Sequence, residues 1–350
     1  MMAEKVKVAI LGATGYTGGE LLRLLYRHPG AEISYVSSER FAGQPISNVF
    51  THLQALSHLK CEPMHAERAA EAADVVFCAL PHVTSMEVVP ALLKAGARVI
   101  DLSADFRLTS EAVYEEWYGK KHLAAELLKE AVYGLPELYR SDIKQAKLIA
   151  NPGCYPTSVA LALGPLMAKK LIDPKLVIAD CKSGVTGAGR SPAQATLYSE
   201  LSEGFKAYKV EGHRHAPEME QMLSVWGGEQ VSLRFTPHLL PQSRGILSTC
   251  YMRSLKGADA DELRSVLKDQ YQNEPFVEVL DAGLFPTTSD VRGSNFCHIA
   301  VAEDKRSGWL MAISVIDNLM KGASGAAVQN FNLMTGWDET TALEMLPLFP

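Results

Sequence analysis

The chain has 350 residues, enough for two domains with real cores, and its 34 Lys and Arg against 40 Asp and Glu give a formal net charge of −6. No Lys/Arg cluster offers nucleic acid an electrostatic footprint, and no apolar run approaches the roughly 20 residues that cross a bilayer. Cys61, Cys78, Cys154, Cys181, Cys250 and Cys297 are scattered without CxxC pairs, which indicates neither a zinc site nor a disulfide framework and fits a reducing cytoplasm.

The N-terminal residues Met1 to Lys7 enter a strand almost at once, leaving no room for a signal peptide. The apolar run Val6 to Leu11 is followed by Gly12-Ala13-Thr14-Gly15-Tyr16-Thr17-Gly18-Gly19 and then by a helical pattern that stops at His28-Pro29-Gly30. Strand, glycine turn and helix in that order are the context of a dinucleotide site. Gly12 permits the tight turn, Gly15 lets a pyrophosphate approach the backbone, and Gly18 lets the helix pack close on the strand. Thr14, Tyr16 and Thr17 share that turn and are expected cofactor neighbours, although the GxxGxxG spacing departs from the commoner GxGxxG. The next strand, Ala31 to Val36, ends in Ser37-Ser38-Glu39-Arg40. An NAD site usually has an acidic residue there on the ribose hydroxyls. Ser37, Ser38 and Arg40 instead suit a 2′-phosphate, so NADP is expected with Glu39 pointing away; an exposed polar loop is the plain alternative.

Strand Asp74 to Leu80, helix Thr84 to Ala95 and strand Arg98 to Leu102 continue the βαβ rhythm of a doubly wound parallel sheet. Ligands bind beyond the carboxyl ends of such strands. Pro81 and His82 are therefore candidates to line a nicotinamide pocket. Arg107 is a candidate anion clamp through its planar fork, with a surface salt bridge as the alternative.

A strand-like stretch from Lys147 to Ala150 runs through Asn151-Pro152-Gly153 to Cys154 and a helical pattern from Thr157 to about Ala168. Pro156 suits a first helical turn. A cysteine at a helix start is where free N–H groups and the helix dipole favour the thiolate, which marks Cys154 as a nucleophile rather than a core thiol. Backbone N–H groups there, with Asn151 nearby, are candidates to stabilise an oxyanion.

Beyond Cys154 the strands Leu176 to Cys181, Gln230 to Phe235, Ile246 to Arg253, Phe296 to Ala302 and Leu310 to Val315 suggest a mixed or antiparallel sheet with one covered face. Ser183-Gly184 opens a second glycine-rich turn whose amides suit a cofactor or phosphate. In His213-Arg214-His215-Ala216-Pro217-Glu218, a thiol's base and its orienting partner are both at hand: a helical turn from Pro217 would hold Glu218 against the His215 imidazole, and Arg214 adds a cation for an acidic substrate. A metal site on His213 and His215 is the rival, but no further ligand spacing completes it. Asp317 through Leu333 reads as a helix of small and apolar residues that returns to the first domain. The expected organisation is a Rossmann-like α/β nucleotide domain (residues 1–150), an α+β catalytic, substrate and oligomerisation domain (151–316), and a C-terminal helix packed on the first (317–350).

A dinucleotide domain beside an activated cysteine suggests hydride transfer at a thiol-bound acyl group: the thiol attacks an activated acyl carbon and NADPH reduces the thioester. GATGYTGGELLRLL (12–25), DLSADFR (101–107), YGLPEL (133–138), NPGCYPT (151–157), SGVTGAGR (183–190), HRHAPE (213–218) and DNLMKGASGAAVQNFNL (317–333) resemble the N-acetyl-γ-glutamyl-phosphate reductases of arginine biosynthesis, through nearly the whole chain. The resemblance implies a nucleophile at Cys154 and an acid–base histidine at His215; Asn318 is a further candidate NADP contact. The resemblance also implies an acyl-phosphate substrate and a cytoplasmic homo-oligomer, dimer or tetramer; Arg107, Asn151, His213 and Arg214 are the candidate substrate contacts. Which of His213 and His215 is the acid–base stays open at the level of the residues alone. The same fold resembles aspartate-semialdehyde dehydrogenase and aminoadipyl-phosphate reductase, so a related acyl-phosphate reductase is the alternative reading. A catalytically silent NADP-binding regulator is the alternative from another class; the presence of both Cys154 and His215 weighs against it.

Overall fold

The computed structural model describes residues 5–349. The described residues form two compact units, one of 5–152 with Ala323–Glu344, the other of Gly153–Gly322 with 345–349.

The first unit is built on β1 (Val6–Leu11), β2 (Ala31–Val36), β3 (Val75–Cys78), β4 (Arg98–Asp101), β5 (Val132–Tyr133) and β6 (Leu148–Ala150), all parallel, in the order β2-β1-β3-β4-β6-β5. Val8 to Leu11 and Val75 to Cys78 are completely buried, as strands covered on both faces must be, which is why they read as unbroken apolar runs. Strand order reverses between β1 and β3. Their carboxyl ends thus form the switch point where ligands bind in open α/β sheets.

The helix Gly325–Thr335 belongs to this unit and packs on the helices Tyr16–Tyr26 and Pro136–Ile143. Ser324 Oγ donates to the Thr17 carbonyl (3.0 Å), and His28 Nε2 meets Asn332 Oδ1 at 2.8 Å. A helix unbroken from Asp317 to Leu333 is not formed. The Asp317 carboxylate captures the N–H groups of Leu319 and Met320, a wide π-turn follows over Met320–Ser324, and regular helix starts only at Gly325. A side-chain acceptor that competes for backbone donors delays helix entry in this way.

The second unit carries β7 (Ile172–Ser183), β8 (Lys206–Ala207), β9 (Leu233–Leu239), β10 (Ile246–Ser254), β11 (Val277–Val279), β12 (Cys297–Asp304) and β13 (Trp309–Ile316), in the order β11-β12-β13-β10-β7-β9-β8. The sheet is mixed, with β7/β9 and β11/β12 parallel and the other pairs antiparallel. Along β7, Val177, Ala179 and Cys181 are buried while Ile178, Asp180 and Lys182 face the more open side, the period-2 signature of a sheet with one covered face. The helices Cys154–Ala168 and Ala260–Tyr271 pack on the covered face. Cys154–Ala168 is buried along nearly its whole length, which explains why it is apolar all round rather than striped.

Candidate active site

Cys154 is the first residue of its helix, with Gly153 as the extended cap residue (φ −69°, ψ 150°). The helix therefore starts one turn before Thr157, where the sequence pattern placed it. Pro156 does not obstruct this, because N–H groups in a first turn have no intrahelical acceptor. The turn is closed by Thr157, whose N–H and hydroxyl both donate to the Gly153 carbonyl at 2.9 Å. Cys154 is half-buried, whereas the other five cysteines are buried. Burial pushes the thiols of Cys61, Cys78 and Cys250 up, and that of Cys181 up to about 12, so these behave as core groups. Gly322 lies against the nucleophile candidate: a Cβ there would stand 2.8 Å from Cys154 Cβ, so only glycine fits without displacement.

His215 caps the N-terminus of the helix Ala216–Gly227, with Pro217 in its first turn. Glu218, only 1% exposed, accepts the Gly153 N–H through Oε1 at 2.8 Å. That contact, from the carboxylate to the backbone just ahead of Cys154, is not one the sequence suggested. His213 is half-buried. Its ring meets Tyr155, Tyr208, Phe235 and His215 edge-on, with centroids 4.9 to 5.9 Å away. Its Nδ1 accepts the His215 N–H at 3.1 Å. Desolvation, with Lys209 and Arg214 nearby, lowers its pKa to about 3. His213 is thus neutral near pH 7, with its proton on Nε2, and brings no positive charge for a substrate anion. Burial also raises the Tyr208 hydroxyl to about 12 and the Tyr155 hydroxyl further, and the two oxygens sit 3.2 Å apart. Arg214 is half-buried. Among the described residues no group of three or more His, Cys, Asp or Glu is arranged to hold a metal ion.

Ser183, Gly184 and Asn318 come together in the same unit. Asn318 Oδ1 accepts the Gly245 N–H (2.8 Å) and its Nδ2 donates to Thr186 Oγ1 (2.9 Å), while a Cβ on Gly184 would strike the backbone of Ser243 and Arg244 at 2.8 Å. This arrangement brings in Arg244, which ion-pairs with fully buried Asp317 at 3.4 Å. A lone arginine in a turn has no spacing signal, and the sequence did not single it out.

In the first unit the glycine turn has the expected form. Gly12 adopts φ +77°, and a Cβ there would lie 2.4 Å from the Ala79 carbonyl oxygen; one on Gly18 would lie 2.5 Å from the Gly12 carbonyl oxygen. Gly15 caps the helix Tyr16–Tyr26 without crowding, Tyr16 is exposed, and Thr17 is half-buried. Ser37 Oγ accepts the Gly12 N–H at 3.2 Å, and the Ser38 and Thr14 hydroxyls are 2.8 Å apart. Glu39 turns to the Met64 N–H (2.7 Å), leaving Arg40 exposed over the Phe41 ring. Pro81 is exposed, and His82 Nδ1 accepts the Ala104 N–H at 3.0 Å.

Arg107 is not a surface residue. It is 6% exposed, and its Nε and Nη2 donate to the carbonyls of Asn151 (2.8 Å) and Leu102 (2.7 Å). These bonds tie together the chain leaving β4 and β6. Asn151 is buried too; its amide donates to the Ala323 carbonyl and accepts from Asn330, both at 3.1 Å.

Residues 7–146 match the family model described as semialdehyde dehydrogenase, NAD binding domain, and residues 154–318 that of semialdehyde dehydrogenase, dimerisation domain. The N-acetyl-gamma-glutamyl-phosphate reductase of Magnetococcus marinus is 70% identical over 349 residues, covering 100% of both chains. The enzyme of that name from Geobacter metallireducens is 54% identical over 347 residues, 99% of this chain and 100% of the relative. The chain belongs to the N-acetyl-gamma-glutamyl-phosphate reductase family. As a member of that family it shares its fold with aspartate semialdehyde dehydrogenase II from Vibrio cholerae (TM-score 0.72, 18% identity, 95% of this chain and 99% of that one). The Candida albicans aspartate semialdehyde dehydrogenase with NADP aligns similarly (TM-score 0.71, 16% identity, 95% and 99%). The expected fold class, a Rossmann-like parallel sheet with a second mixed-sheet domain, holds for this family member.

Proposed function

We propose that this chain reduces N-acetyl-γ-glutamyl phosphate to N-acetylglutamate 5-semialdehyde with release of phosphate, using NADPH, as a step of arginine biosynthesis. The observation that carries the reading is Cys154 at the head of its helix, half-buried, with Glu218 holding the backbone immediately before it. Full-length relatives named for the same reaction support it.

In this reading Cys154 Sγ attacks the acyl carbon, the oxyanion forms at the N-terminus of the helix, and the carbon–oxygen bond to phosphate breaks to leave a thioester. When bound, NADPH would supply a hydride to the thioester carbonyl. Protonated His215 gives its proton to the resulting oxyanion to form the thiohemiacetal, then takes it back as the carbon–sulfur bond breaks, leaving aldehyde and a thiolate beside the imidazolium. Glu218 keeps Gly153, and so Cys154, in place. Arg214 is the favoured partner of the substrate carboxylate. Arg107 acts chiefly by fixing the ends of β4 and β6, with Asn151 in the same network.

The residues of the glycine turn fit a dinucleotide: Gly12 and Gly18 stand where a side chain would collide with backbone, and no acidic side chain faces the turn from the end of β2, since Glu39 is engaged at Met64. Thr14, Gly15, Tyr16, Thr17, Ser37, Ser38, Arg40 and Pro81 would hold it in the first unit. The Ser38 and Thr14 hydroxyl pair with Arg40 favours the 2′-phosphate of NADP over the bare ribose of NAD. The open side of the mixed sheet, where Ile178, Thr236, Tyr251, Trp309 and Met311 line a hollow of about 550 Å³, is the face proposed to meet a second copy in a cytoplasmic homo-oligomer.

The test is phosphate-dependent NADP reduction with N-acetylglutamate 5-semialdehyde, run beside aspartate and aminoadipate semialdehydes. Selective turnover of the N-acetylglutamyl substrate is expected; preference for either of the others would reassign the reaction.

A further inference from the structure

Val83 is a β-branched residue with φ +77°, in the left-handed region that such side chains avoid. It lies in the loop that leaves β3, directly after Pro81 and His82. Backbone strain of this kind persists only where the surroundings over-determine it, and it gathers at functional sites. Here the determinant is one side chain. Asp105, completely buried, accepts the Val83 N–H through Oδ1 (2.8 Å) and the Met86 N–H through Oδ2 (3.0 Å), so a single carboxylate spans the strained residue and the first turn of the helix Ser85–Lys94. Asp105 is itself held. Tyr114 Oη donates to Oδ1 at 2.7 Å, and His122 Nε2 lies 2.7 Å from the Asp105 carbonyl oxygen. One residue away, Ala104 N–H donates to His82 Nδ1, so the loop is laced on both sides of Pro81–Val83.

The loop matters because of what it adjoins. β3 pairs with β1, and the missing Cβ of Gly12 faces the Ala79 carbonyl and the Leu80 side chain, the residues just before Pro81. The strained loop therefore continues the wall of the glycine turn at the switch point between β1 and β3.

We infer that Asp105 is a positioning residue for dinucleotide binding: its carboxylate holds Val83 in the left-handed conformation and thereby fixes the Pro81–Thr84 wall beside the glycine turn. This inference rests on the reading of that turn as a dinucleotide site. It makes a specific claim about backbone conformation. Asn at position 105 would oppose an amide N–H to one of the two backbone N–H donors and release the loop. Glycine at position 83 adopts φ above zero without strain and should remove the need for the carboxylate.

The experiment is a fluorescence titration of NADPH into the wild-type chain, Asp105→Asn, Val83→Gly and the double variant, with thermal unfolding measured on each. Asp105→Asn is expected to weaken NADPH binding about tenfold, an effect of the size that releasing one strained residue allows. Val83→Gly alone should bind within about twofold of wild type, and the double variant should recover most of the loss whatever its melting temperature. Unchanged binding in Asp105→Asn, or a double variant as weak as Asp105→Asn, would overturn the inference while leaving the cofactor reading intact. A wild-type chain that binds no NADPH would overturn both. Should Asp105→Asn fail to fold, Tyr114→Phe with and without Val83→Gly makes the same comparison: loss relieved by glycine supports the inference, and no loss or no relief overturns it.

Discussion

Glu218 and Gly153 are 65 residues apart in sequence, yet the carboxylate of one accepts the backbone N–H of the other at 2.8 Å. The bond fastens the chain at the residue before Cys154, and Glu218 can supply it because it sits in the first turn of a helix that packs on the Cys154 helix. A charge-assisted hydrogen bond to buried backbone contributes on the order of 1.5–3 kcal/mol, and losing it leaves a buried N–H without its acceptor. Glu218→Ala should therefore slow both turnover and the alkylation of Cys154 by iodoacetamide, by about tenfold or more, whereas Glu218→Gln, which keeps an acceptor oxygen, should lose much less. Equal losses in the two variants would show that the charge, not the tether, is what matters.

Cys154→Ser should abolish phosphate-dependent NADP reduction while cofactor binding survives, because an unactivated hydroxyl is a far weaker nucleophile. The measurement is initial rate beside a binding titration. Residual activity above a few per cent speaks against a covalent thioester.

His215→Ala should reduce kcat by about 10²–10⁴, the usual worth of a positioned acid or base. His213→Asn should be mild, since asparagine can still accept the His215 N–H that His213 accepts. If the losses fall the other way round, the two imidazoles exchange roles.

His213 also makes stability depend on pH. Its folded-state pKa, about 3, lies below the ordinary value of 6.5, so as pH falls through 6.5 the unfolded chain takes up a proton that the folded chain refuses. Stability from this group is complete above 6.5 and is lost between 6.5 and about 3, at up to about 1.4 kcal/mol per pH unit. Urea unfolding of wild type and His213→Asn at pH 7 and pH 5 should show the wild type losing more on acidification, and parallel losses would refute the assignment.

Arg40→Ala should weaken NADPH and leave NADH nearly unchanged, because the exposed guanidinium at the end of β2 is the candidate contact for a 2′-phosphate, which NADH lacks. Steady-state KM for both cofactors checks this; equal loss places the 2′-phosphate elsewhere.

The elements whose order is dictated by local pattern were legible before any coordinates. Unbroken apolar runs became buried parallel strands, alternating runs became the mixed sheet, and the spacing of Gly12, Gly15 and Gly18 announced a turn where side chains would collide with backbone. Cys154 stood out because a thiol after Pro-Gly and before a helix is a local arrangement. What the sequence by itself left undetermined depends on contacts between residues far apart along the chain. Arg107 read as a candidate anion clamp or a surface salt bridge, and only folding shows it buried on the carbonyls of Leu102 and Asn151. His213 and His215 are near-equivalent as text; only folding buries His213 among Tyr155, Tyr208 and Phe235, and that desolvation lowers its pKa. Gly322 against Cys154, Glu218 on Gly153 and Asp105 on Val83 have no periodicity to betray them. Patterning reports which face of an element is buried, but a hydrogen bond between distant side chain and backbone exists only once packing has brought the two together.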